Sequence, residues 1–91
     1  RVINGIFDFL THCVNWFKSL RLNKEKHIPF VADAKAFKEM LKTAPTKNVG
    51  IFEGVYDETT EEIIAHQFIE ADAVDAKTRE VLGEEDLVIL T

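Results

Sequence analysis

Several absences narrow the reading of this chain first. A single cysteine, Cys13, excludes an internal disulfide. The only serine is Ser19, and no G-x-S-x-G elbow surrounds it. The four glycines, Gly5, Gly50, Gly54 and Gly83, form neither a G-x-G-x-x-G turn nor a P-loop. No apolar run reaches the length of a membrane span, because Asn4, Asp8, His12, Asn15 and Lys18 interrupt the oily start. Bases are scarce as well. The net charge of -5 argues against nucleic acid, whose binding rests on neutralising phosphates with Lys and Arg. The potential metal ligands His12, Cys13, His27 and His66 fall at no ligand spacing, and the Glu84-Glu85-Asp86 run lacks the spaced oxygens of a calcium loop. The expectation is no metal and no cofactor.

What remains is the composition of an ordinary small globular domain, 46% hydrophobic and 30% charged, in 91 residues. Charge is unevenly placed. Residues 1–50 hold nine bases and four acids, and residues 51–91 hold two bases and twelve acids. Halves of opposite sign favour docking of one on the other, or simply two solvated surfaces. The residues read as one domain over 1–91, with a helical part at 1–45 and a sheet part at 46–91. A cytoplasmic location is favoured. The chain begins at Arg1, which leaves an upstream signal open.

At 100° per residue, Val2, Ile3, Ile6, Phe7, Phe9, Leu10, Cys13, Val14, Trp16, Phe17 and Leu20 share one half of a helical wheel. This spacing predicts a first helix over residues 2–20, oilier than a surface helix needs. Asn23 to His27 reads as a charged connector, and Ile28 to Val31 as extended because of Pro29. Asp33 resembles an N-cap for a second helix over residues 34–43, stopped by Pro45. Val49 to Tyr56 is a strand by its β-branched and aromatic content. Asp57 to Glu61 turns the chain. Glu62 to Ala71 is read as the hairpin partner, with a helix over residues 60–82 as the alternative. Asp75 caps a helix over Ala76 to Leu82 that Gly83 ends, and Leu87 to Leu90 is a buried strand by its unbroken apolar character. The expected fold is α+β: two N-terminal helices, then a β-β-α-β unit forming a small, mainly antiparallel sheet.

Nothing here spells out catalysis. Cys13 and His12 are adjacent and point apart on a helix, and nothing selects a partner for His66. The expected role is therefore a non-catalytic, self-associating or protein-binding module. The first helix would be its contact surface, with Phe9, Trp16 and Phe17 as aromatic anchors and Ile6 and Cys13 beside them. The expected partner is a second copy or another protein. A central helix wholly consumed by its own domain is the plain alternative. A membrane-surface helix is disfavoured, because the polar face carries a single Lys. A different class of function is a small-molecule pocket or modest enzyme on the sheet around Gly50 to Tyr56, with Phe52, Tyr56 and His66 as its residues.

Overall fold

The computed structural model describes residues 1–33 and 47–90. Among them are β1 (Ile6–Phe7), a helix α1 that is π-helical over Phe9–Val14 and α-helical over Asn15–Ser19, β2 (His27–Asp33), β3 (Val49–Asp57), β4 (Glu62–Ala71), β5 (Ala73–Val74), α2 (Ala76–Leu82) and β6 (Leu87–Ile89). Four strands form an antiparallel sheet in the order β4-β3-β2-β6, and β1 pairs in parallel with β5. The predicted hairpin is present. β3 and β4 pair from Val49↔Ala71 to Asp57↔Glu62, with a bulge beside Val55 and Tyr56. Asp75 caps α2 by accepting from the Thr78 N–H at 2.9 Å, and Gly83 follows the helix with a positive φ of 54°.

The expectation of two N-terminal helices ahead of the sheet is overturned. Helix begins only at Phe9, and the residues before it are extended. The Ile3 N–H donates to Glu70 O at 2.8 Å, and the Glu70 N–H donates to Arg1 O at 2.9 Å. Gly5 takes φ 149°, a conformation that L side chains rarely adopt and no helix contains. Asp8 then caps α1 by accepting from the Thr11 N–H at 2.9 Å. The apolar wheel was blind to both signals. The predicted helix over residues 34–43 lies outside the described residues.

The second correction concerns the sheet. β2 lies between β3 and β6, so a segment assigned to the helical part is a central strand. Pro29 is tolerated there because of where its missing donor falls. Its carbonyl accepts from the Leu90 N–H at 2.9 Å, one residue past the end of β6. The lost donor therefore sits at the end of the ladder rather than within it. β6 itself is an edge strand, with Leu87 and Ile89 exposed instead of buried. An unbroken apolar run is compatible with either position.

The core lies on one face of the sheet. Phe7, Cys13 and Phe17 from the N-terminal segment pack on Val31, Ile51, Val55, Ile69 and Ala71. Burying each large side chain contributes about 1.5–3 kcal/mol, so the first twenty residues are integral to the fold. Asp75 fastens them further, because its second carboxylate oxygen accepts from the Phe9 N–H at 3.2 Å. Burial opposes ionisation of this carboxyl, but the Thr78 and Phe9 donors prevail and hold it below its ordinary value. Among the described residues, no helix is long and apolar enough to cross a membrane.

Candidate functional site

A cleft of about 580 Å³ opens where the C-terminal end of α1 meets the start of β2. Its construction begins at the helix end. The Leu20 and Arg21 N–H groups donate to Phe17 O at 3.2 Å and Lys18 O at 3.3 Å. Arg21 takes a left-handed φ of 50°, which turns the chain out of the helix. Asn23 then organises the connection. Its side-chain oxygen accepts from the Glu25 N–H at 2.9 Å, and its carbonyl accepts from the N–H groups of Lys26 and His27 at 3.2 and 2.8 Å.

His27 closes this loop from the other side. Its Nδ1 accepts from the Asn23 N–H at 2.9 Å, and its Nε2 stands 3.3 Å from Asp57 Oδ2. Asp57 is itself held by the turn that follows β3. Its Oδ1 accepts from the Thr59 hydroxyl at 2.5 Å and from the N–H groups of Thr59 and Thr60 at 2.8 and 3.2 Å. The Thr59 hydroxyl above all, with the two backbone donors, holds the Asp57 carboxyl down at about 2. The floor of the connection is thus tied from Asn23 to His27 by hydrogen bonds, with His27 Nε2 set against Asp57.

The cleft this creates is lined by Val14, Phe17, Leu22, Ile28, Pro29 and Leu90, with Lys18, Lys24 and His27 as its polar members. Both His27 nitrogens are already engaged. Its size and apolar walls match those of small-molecule sites.

A second constellation lies under α1. Glu53 is 0% exposed, and its Oε1 accepts from Gln67 Nε2 at 2.9 Å. Gln67 also donates to His12 O at 3.3 Å. Glu53 Oε2 has no hydrogen-bond partner. Burial pushes the Glu53 carboxyl up to about 7, against the Gln67 amide and the Cys13 thiol, which favour its ionised form. Burial, and then the nearby Glu53 charge, push the Cys13 thiol far up as well, so it is a poor nucleophile. Both groups are sealed from solvent and out of reach of a substrate.

The residues singled out from the sequence are dispersed. Cys13 and Phe17 are buried in the core, and Phe17 also forms a wall of the cleft. Phe9 and Trp16 are half-buried against that core. Ile6 is exposed. On the opposite face of the sheet, Phe52 stacks on His66 with ring centres 5.6 Å apart and on Phe30 at 6.0 Å. Phe30 also lies over Gly54, where an added Cβ would collide with the ring. The alternation of glycine and aromatics in β3 thus makes room for a neighbouring ring. Tyr56 is half-buried farther along the same strand. The sequence reading missed Val14, Lys18, Leu22, Lys24, His27, Ile28, Pro29 and Leu90 as a group. Their one advance signal is that Arg21 falls in the oily half of the wheel and Leu22 in the polar half, so the helical pattern breaks there.

Among the described residues, no cluster of His, Cys, Asp or Glu could hold a metal ion. No family model matches the chain, and neither a curated protein nor a solved structure is similar to it.

Proposed function

We propose that this chain is a non-catalytic binding module that takes up a small apolar ligand in the cleft between α1 and β2. The observation that carries this reading is a concave space of about 580 Å³ whose walls are six apolar side chains on a hydrogen-bonded frame. Pockets that hold small molecules have this size and this mixture of apolar wall and few polar groups. A neutral solvatochromic dye is expected to brighten on binding the intact chain. Val14→Trp, which fills the space from a half-buried position, is expected to abolish that signal while far-UV dichroism is kept. Undiminished dye binding by a folded Val14→Trp protein would overturn the assignment.

Association through the N-terminal segment is a second reading, favoured by one observation. Val2, Ile6 and Leu10 remain 55%, 60% and 59% exposed, although the side chains between them help build the core. In this reading, exposed apolar groups on this N-terminal strap, residues 1–10, meet a second copy. The expected outcome is a solution mass of two chains by light scattering that falls to one chain in Ile6→Asp. A wild-type mass of one chain at all concentrations rules it out.

A further inference from the structure

We infer that the ligand of this cleft is an anionic single-chain amphiphile, a hydrocarbon tail ending in a carboxylate or similar monoanionic head. The inference rests on the cleft being a ligand site, and it deepens that reading by naming the chemistry. The tail follows from the walls, because Val14, Phe17, Leu22, Ile28, Pro29 and Leu90 offer no hydrogen-bonding side chain to a polar body. The head follows from which polar groups remain uncommitted. His27 is spent on Asn23 and Asp57, as described above. That leaves the ammonium groups of Lys18 and Lys24, one on the last turn of α1 and the other on the connection.

Neither lysine has an ion-pair partner among the described residues, whereas Lys47 and Lys77 are paired with Asp72 and Glu80. Other bases such as Arg21 and Arg79 are unpaired too among the described residues, but only Lys18 and Lys24 place their ammonium-bearing side chains in the lining of the apolar cleft. Charges at the edge of a low-dielectric wall attract more strongly than they would in open water. Lysine ammoniums are flexible point charges, so they suit a compact head rather than a planar one needing a fork. Glu25 follows Lys24 on the connection and Asp57 faces His27, so a head placed toward either acid would be repelled. Charge and shape therefore agree on one orientation, with the tail inside and the head at Lys18 and Lys24.

The test titrates the full chain with decanoate, decanol and decyltrimethylammonium, each below its micelle concentration, by displacement of a bound neutral dye. Decanoate is expected to bind roughly fivefold to tenfold more tightly than decanol, and the cation more weakly than both. In the Lys18→Gln/Lys24→Gln double variant, the preference for decanoate over decanol should be lost, and a preference kept at its wild-type size would overturn the head-group assignment. Both lysines are exposed, so the variant is expected to fold. Equal binding of decanoate and decanol by the wild-type chain would overturn the head-group assignment and leave the cleft standing. Failure of all three to bind would overturn the cleft as well. Co-sedimentation with anionic phospholipid vesicles, without binding of monomeric decanoate, would replace the free amphiphile with a membrane surface and also sink the inference.

Discussion

Glu53 and Asp57 stand four residues apart on the same face of β3, and their environments drive them in opposite directions. Glu53 is 0% exposed and its carboxyl is pushed up to about 7. Asp57 is 5% exposed and its carboxyl is held at about 2. Burial dominates at Glu53, whereas donors, the Thr59 hydroxyl first, dominate at Asp57. Asp57 accepts three hydrogen bonds on Oδ1 and faces His27 with Oδ2. Glu53 has the Gln67 amide on Oε1, some help from the Cys13 thiol, and no hydrogen bond on Oε2. A carboxylate taken out of water keeps its charge where the fold supplies replacement donors, and otherwise holds its proton.

The sharpest way to test this contrast is pH. The folded-state value of Glu53 lies above its ordinary 4.5, so the folded chain keeps a proton that the unfolded chain has released. Below about pH 4.5 both states are protonated and burial of the charge costs nothing. Stability then falls as pH rises toward 7, and the full penalty, on the order of 3 kcal/mol, is present above it. Glu53→Gln keeps an acceptor for Gln67 and carries no charge. It is expected to remove the loss between pH 4.5 and 7, and to be more stable than the wild type at pH 8 in urea denaturation. A wild-type stability that is flat over that interval would break the comparison.

A smaller effect is expected at the other carboxyl. The Asp57 value lies below its ordinary one, so its contribution is present above about pH 3.8 and is lost as pH falls toward 2. Thr59→Val deletes the hydroxyl donor and keeps both backbone donors. The Asp57 carboxyl should titrate at higher pH by NMR, with a stability loss at neutral pH that is a fraction of the Glu53 effect. An unmoved titration would mean that the turn's backbone alone holds the charge.

The same strand shows how much the residues disclosed on their own. Its alternation gave the hairpin, and the acid of Glu53 between Ile51 and Val55 already marked a charge on an apolar face. That this face is the buried one depends on the strap that crosses it, and the strap was hidden. Eleven apolar residues fit a helical wheel so well that Gly5 and Asp8 pass for ordinary members of its other half. Periodicity reports which side chains want burial. It does not report the backbone conformation in which they achieve it when β-branched residues dominate the start. Ile28 to Val31 was legible as extended, but its central place in the sheet was not, because a proline ordinarily argues against a central strand. The cleft was out of reach because Val14 and Leu90 meet only once the sheet places β6 beside β2. The lysines at its mouth looked like any solvated charges until their lack of partners could be seen.

The carboxylate of Asp75 binds two stretches of backbone that are far apart in sequence, the first amide of α1 and the first turn of α2. Peeling the leading segment off the sheet therefore strips one oxygen of its partner while the other still holds the later helix. The two ends of the molecule share a single knot, so they loosen together, and amide exchange at Phe9 and Thr78 should keep one common pace.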